Sequence, residues 1–178
     1  MPEFQDQFLG SLFEYIKTGN SQIRHAAAEC LARILQNQYS SGLRAELIAS
    51  IKQELAESPS CAMRKTFLFF CKAAVGTFSK SFFKEHFVQS YISLSTDKVA
   101  AVRMEFANSL LFVKPWFEGD AALTNEMMST LTKMHSDIDR DVVEAVETCD
   151  FKLLQIKKKT REQEKAAAAV DAQRVLIE

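Results

Sequence analysis

The sequence predicts an all-α fold: an α-solenoid of about four stacked helical hairpins followed by a long C-terminal helix. Three observations carry this prediction. The chain of 178 residues holds only five glycines and three prolines, too few to punctuate many strands or irregular loops. A motif returns with a period near 40 residues, and such periods mark arrays of one supersecondary unit. Ahead of each copy, apolar residues recur about every four positions, which is the stripe of an amphipathic helix.

The motif defines the second helix of each unit. Three strings align: QIRHAAAECLARI from Gln22, AMRKTFLFFCKAA from Ala62 and AVRMEFANSLLFV from Ala101. Each places an apolar residue directly before an arginine, then apolar or small residues three, seven and ten positions after it. Arg24, Arg64 and Arg103 are spaced by 40 and 39. A fourth copy, DVVEAVETCDFKL from Asp141, has Val143 at the arginine position and Asp150 at the +7 position, so its register is open to a one-residue shift. Six residues before these positions stand Thr18, Ser58, Asp97 and Asp137. Their side-chain oxygens suit a helix N-cap. Second helices are therefore expected from about 20, 59, 98 and 138, with Pro59 at a first helical position.

The first helices follow from the stripes Phe4, Phe8, Leu12, Ile16; Leu43, Leu47, Ile51, Leu55; Phe83, Phe87, Tyr91; and Leu123, Met127, Leu131, Met134. QYSSG, FSKS and KPWFEGD join successive units, and Pro115 should end or kink the helix before it near Lys114. The units are expected at about 3–38, 41–78, 81–117 and 120–156. A single hairpin cannot bury its apolar face, whereas a stack can. Residues 157–178 read as a charged, alanine-rich helical extension. In it Lys158 and Glu162 can pair weakly, while Val170 and Val175 to Ile177 have no obvious home. KKKTR in this extension reads as a solvated basic turn, with a nuclear-import signal as the alternative.

Seven of the fourteen phenylalanines lie between Phe67 and Phe87. The stretch divides at TFSKS: Phe67 and Phe70 belong to the second helix of unit two, and Phe82, Phe83 and Phe87 open unit three. Most of these rings should fill the joint between the two units. Phe69 lies five residues after Arg64, off the stripe, and is expected as a second-layer contact or an exposed docking residue. Trp116 is expected as a wedge between units three and four, or as an exposed interaction hot spot. The apolar run Phe67–Cys71 ends at Lys72, far short of the ~20 residues a spanning helix needs. A membrane anchor is thereby excluded for this stretch.

The periodic arginine has a structural reading. Near the turn, its planar fork can reach the cap oxygen of its own or the adjacent unit. Arg103 with Asp97 is the clearest candidate pair. The net charge is −1, so bulk charge draws no nucleic acid. Cys30, Cys61, Cys71 and Cys149 form no CxxC pair and have no histidine at ligand spacing; they read as reduced, mostly buried thiols. His25, His86 and His135 lie far apart and read respectively as a helix-surface residue, a neighbour of the Phe83–Phe87 stripe and a helix-end cation. There is no phosphate loop, nucleophile elbow or zinc-protease motif. Asp137 and Asp139 share a turn without signs of an apolar pocket, so no catalytic dyad is expected there. No catalytic residue, metal site or cofactor is expected, and neither is a small-molecule substrate.

The repeat resembles the HEAT repeat. DKVAAVRMEFANSL, Asp97 to Leu110, resembles repeats of the scaffold subunits of protein phosphatase 2A: a turn aspartate, an apolar–arginine pair, then an apolar helix. FCKAAVGTFSKSFFKEHF, Phe70 to Phe87, is similar to a segment in the regulatory-subunit-4 family of protein phosphatase 4. The specific likeness covers about 62–113 and the general pattern about 3–156, with Val143 and Asp150 departing from it. The resemblance implies a right-handed superhelix without enzymatic activity. It also implies binding of a phosphatase catalytic subunit, or another protein, along the ridge of turns within the repeats. By position that ridge is Gly19–Asn20, Pro59–Ser60, Asp97–Lys98 and Asp137–Asp139. Neither nucleic acid nor a membrane is an expected partner. The location implied is the cytoplasm, with nuclear presence allowed. Arrays of this family usually have more than four repeats, so the chain is expected to be one segment of a longer array. The alternative is a tubulin-binding array or another protein-interaction adaptor; tubulin binders commonly carry Trp and Lys on the ridge, and here only Lys98 does.

Overall fold

A computed structural model describes residues 2–38, 40–117, 119–150, 152–153 and 162–163. Among these residues every regular element is helical. The elements are α1 (Pro2–Thr18), α2 (Ser21–Gln36), α3 (Ser41–Ile51), α4 (Cys61–Val75), α5 (Lys80–His86), α6 (Val88–Ser93), α7 (Ala100–Val113) and α8 (Ala121–Met134). Residues 140–150 form a further helix, α9. A π turn, Lys52–Ala56, ends α3, and 3₁₀ turns follow α6 (Leu94–Thr96) and α7 (Lys114–Trp116). Helix α1 packs on α2, the π turn on α4, and the turn after α6 on α7, while α2, α4 and α7 pack on one another in succession. No helix among the described residues is long and apolar enough to cross a membrane.

The helix starts correct the expected caps. The second helices begin at 21, 61, 100 and 140, one or two residues later than expected. Asn20 caps α2, its side-chain oxygen accepting the Ile23 N–H at 3.0 Å, whereas Thr18 turns back to donate to the Glu14 carbonyl. Pro59 lies outside α4, and Ser60 holds the N-cap position without a side-chain bond. Asp97 and Asp137 shape the turns instead of capping the helices: their Oδ1 atoms accept the N–H groups of Val99 and Asp139 at 2.8 and 2.9 Å. Asp120 does cap α8, accepting the Leu123 N–H. Gly119 precedes it at φ 97°, where a Cβ would be strained.

The apolar stripes run inward, apart from Phe8 and Leu43 near the starts of the first two. Leu12, Ile16, Leu47, Ile51 and Leu55 are buried, but Phe8 and Leu43 are exposed. Phe83, Phe87 and Tyr91 are buried, as are Leu123, Met127, Leu131 and Met134. The side chain of Phe4 lies outside the description. Where one first helix was expected in unit three, the backbone breaks at Phe87, with φ −125° and ψ −21°. In the π turn the Glu57 N–H reaches the Lys52 carbonyl at 2.9 Å, and the consecutive Leu55 and Ala56 are both buried. Helix α7 ends at Val113, directly ahead of the Pro115 turn, as the proline requires.

The aromatic stretch is the core of the joint between units two and three. Phe67, Phe70, Phe83 and Phe87 are buried, with the Phe70 and Phe87 rings 5.0 Å apart and edge-on. Tyr91 continues the cluster toward Phe106 at 4.8 Å. Its buried hydroxyl meets Ser109 Oγ at 2.7 Å, and Ser109 in turn donates to the Phe106 carbonyl. In α9 the core residues are Val142, Val146 and Cys149. The register is therefore shifted by one at its end, and Asp150 stands outside the core, 2.9 Å from His135 Nε2. The thiols are less buried as a group than expected: Cys71 and Cys149 are buried, Cys61 is half-buried and Cys30 is exposed. The expected Lys158–Glu162 pair and the apolar groups at Val170 and 175–177 fall outside the described residues.

Candidate protein-interaction surface

The turns within the hairpins carry a repeated arginine clamp. Arg64 donates through Nη1 to the Ser58 and Pro59 carbonyls of its own turn, at 2.8 and 3.0 Å. Its other edge forks across to the next unit, with Nε and Nη2 donating to the two Asp97 carboxylate oxygens at 2.5 and 2.9 Å. Arg103 repeats the pattern: Nη1 donates to the Asp97 carbonyl, while Nε and Nη2 both meet Asp137 at 2.7 Å. The expected charge pair of Arg103 with Asp97 is therefore replaced. Arg103 takes only the backbone carbonyl of Asp97, whose carboxylate belongs to Arg64. Stacking brings the next unit's turn closer to the fork than the arginine's own turn carboxylate.

Both pairs are desolvated, with side chains 7% and 6% exposed in Arg64–Asp97 and 12% and 10% in Arg103–Asp137. Burial pulls the Asp97 carboxyl upward, but the Arg64 hydrogen bonds, the Val99 N–H and the nearby positive charge outweigh it. The group ends below the usual carboxylate range. Hydrogen bonds from Arg103 lower Asp137 in the same way against the opposing effect of burial. Both arginines are raised, chiefly by these same bonds. Arg24 makes the own-turn half of the clamp alone, from Nη1 to the Gly19 carbonyl at 2.7 Å. At that turn a Cβ on Gly19 would stand 2.5 Å from Ile23 Cγ2 and closer still to the Tyr15 carbonyl, so only glycine fits.

The proposed ridge residues thus divide. Asn20, Pro59, Ser60 and Lys98 are exposed, while Gly19 and Asp139 are half-buried. Asp97 and Asp137 are held inside the clamps. Ile138, inside the Asp137–Asp139 span but not singled out from the sequence, is 98% exposed at the tip of the fourth turn. An apolar side chain between two aspartates of a polar turn was the available signal. Beside it a cleft of about 640 Å³ runs between α6 with its 3₁₀ turn and α8, lined by Ile92, Thr96, Glu126, Thr130, Lys133 and Met134, among others.

Phe69 is half-buried, edge-on to the His25 ring with Lys72 Nζ 5.2 Å from its centroid. That placement makes it a second-layer contact between α2 and α4. Trp116 is half-buried and edge-on to Phe83 at 5.6 Å, so it packs back on unit three. Phe112, which the sequence reading did not single out, is 54% exposed under Lys72. His86 lies edge-on to Phe82 at 4.5 Å. Among the described residues no group of three or more His, Cys, Asp or Glu is placed to hold a metal. The remaining strong perturbations are buried groups. Burial pushes the Cys71 thiol and the Tyr91 phenol well up, and the Cys149 thiol to about 11. Such thiols are poor nucleophiles.

Among the described residues these features define an all-helical protein whose neighbouring helices are cross-linked by turn clamps, with turn tips exposed to solvent. Within that class, the chain is distantly related to the regulatory subunit 4 family of protein phosphatase 4. It is similar to the serine/threonine-protein phosphatase 4 regulatory subunit 4 of Mus musculus and to that of Homo sapiens, each 30% identical over 144 residues. The match takes in 79% of this chain and 16% of each relative, so the chain spans under one fifth of their length. No family model matches the sequence.

Proposed function

We propose that the chain is a stretch of a HEAT-type, right-handed α-solenoid acting as a non-catalytic scaffold or regulatory subunit. Its partner would be a serine/threonine protein phosphatase catalytic subunit of the 2A/4 type. The relatedness to phosphatase 4 regulatory subunit 4 carries this reading. The repeated turn clamp supports it, because it fixes successive turns in register as a continuous docking edge. The units proposed are 3–38, 41–78, 81–117 and 120–156, with 157–178 as an extension, and the array is proposed to continue in a longer protein located in the cytoplasm.

The docking edge comprises Asn20, Pro59, Ser60, Lys98 and Ile138, with Asp139 at its margin. Gly19, Asp97 and Asp137 shape it from beneath. Calorimetric titration of the purified chain with purified phosphatase 4 and 2A catalytic subunits tests the reading. Saturable binding to either one, without gain of activity by the chain alone, is expected. Absence of binding to both, with the chain folded, rejects it. Co-sedimentation with tubulin in place of phosphatase binding would favour a tubulin-binding array.

A further inference from the structure

Among the described residues the clamp is left half-made at Arg24. Arg64 meets the acid 33 residues on and Arg103 the acid 34 residues on. Arg24 opens the same register, and the residue 34 positions on is Ser58. Ser58 stands in the acid's place in the turn as well as in the count. Its Oγ accepts the N–H of Ser60, two residues on, as Asp97 accepts from Val99 and Asp137 from Asp139. Its carbonyl accepts Arg64 Nη1, as the Asp97 carbonyl accepts Arg103 Nη1. Helix α2 packs on α4 as α4 packs on α7, so Ser58 holds, relative to Arg24, the position that Asp97 holds relative to Arg64. Arg24 has no ion-pair partner among the described residues.

We infer that Ser58 is a phosphorylation site and that Arg24 receives its phosphate. A protein kinase supplies the reaction with a nucleoside triphosphate. The Ser58 oxygen bonds to the γ-phosphorus, the bond from that phosphorus to the β–γ bridging oxygen breaks, the nucleoside diphosphate leaves, and the hydroxyl proton passes to the kinase's base. The product carries about −1.5 to −2 charge and three acceptor oxygens, suited to the two-pronged guanidinium edge that Arg64 and Arg103 use on carboxylates. Ser58 is half-buried in the turn ahead of α4, with Glu57, Pro59 and Ser60 exposed around it. Unmodified, units two to four are joined by clamps. Among the described residues the joint of units one and two has its core, the exposed Lys17–Glu54 pair, the Gln36 bond to the Thr77 carbonyl, the Arg44 bonds to the Gln38 carbonyl and the His25–Phe69 ring contact, but no arginine–carboxylate clamp. Phosphorylation extends the clamp series to unit one.

A double-mutant cycle on the whole chain tests the contact. Phosphoserine is placed at position 58 during synthesis, with Arg24 intact or as Arg24→Gln, and thermal unfolding is followed. The expected result is a rise in Tm of about 2–4 °C with Arg24 present and none with Arg24→Gln. Ser58→Asp, which installs the side chain of the two native clamps, should shift Tm in the same direction, and Ser58→Ala should not. An equal rise in both Arg24 backgrounds overturns the contact, since any anion ahead of α4 gains from the helix dipole; no rise overturns it as well. The modification is read by phosphopeptide mass spectrometry of the full-length protein from phosphatase-inhibited cells. Phosphate mapped to Ser58 is expected. Full coverage of that peptide without phosphate, or phosphate on Ser60 instead, overturns the assignment.

Discussion

Removing the Asp97 carboxylate strands a desolvated arginine. Asp97→Ala should cost on the order of 3 kcal/mol, mostly through the unpaired Arg64 charge. Arg24→Ala, which removes one bond to a carbonyl at a half-buried site, should cost about 1 kcal/mol. Urea denaturation of the two variants checks the contrast, and similar losses would mean that the clamp adds nothing to the turn bond. The same pairs set an acid limb. Asp97 and Asp137 bind protons more weakly folded than unfolded. Their stabilisation is therefore complete above the unfolded carboxylate value of about 3.9 and is lost as pH falls through it toward the folded values. Stability measured from pH 6 to pH 3 should fall on the acid side, with a shallower fall in Asp97→Asn and Asp137→Asn. A slope unchanged in both variants would mean that other acids govern the limb. The periodic arginine and the turn acids were legible in the sequence, but their pairing was not. Partner choice depends on how units stack, and a 33-residue separation carries no local signal.

At the scale of the element, the amphipathic stripes were the most legible feature, because a four-residue apolar period has one consistent helical reading. The break at Phe87 was not legible. No glycine or proline marks it, and the stripe Phe83, Phe87, Tyr91 crosses it with all three rings still buried. Packing of those rings against α4 and α7 overrides local helix preference there. The π turn at Lys52–Ala56 is hidden for a similar reason: an i+5 bond leaves no mark in composition. Cap positions were misplaced because Asp and Ser favour turns as well as caps, and here they hold the turn. The aromatic joint gives a sharp test of burial against composition. Phe70→Ala, at a fully buried site, should cost about 3–5 kcal/mol. Phe112→Ala, at an exposed site in the next second helix, should stay within about 0.5 kcal/mol. Chemical denaturation of both, with far-UV circular dichroism to follow helix content, separates them. A comparable loss at Phe112 would assign it to the core.

For the whole molecule, the clamps decide which ridge residues remain available to a partner. Asp97 and Asp137 spend their carboxylates on Arg64 and Arg103, so variants there report on stability before they report on binding. Lys98 and Ile138 flank those acids in sequence and are exposed. Ile138 also lines the cleft between α6 and α8. On the proposed phosphatase reading, Lys98→Glu together with Ile138→Asp should weaken catalytic-subunit binding at least about tenfold, equivalent to about 1.4 kcal/mol. Tm should stay within about 1–2 °C, because neither side chain contributes to the core. The control is Phe112→Ala near the far end of α7 from the Lys98 turn, which should leave binding unchanged if the turn edge is the contact. Loss of binding at Phe112 with retention in the ridge double variant would move the docking surface from the turns to the second-helix face, where Phe69, Lys72 and Phe112 stand together.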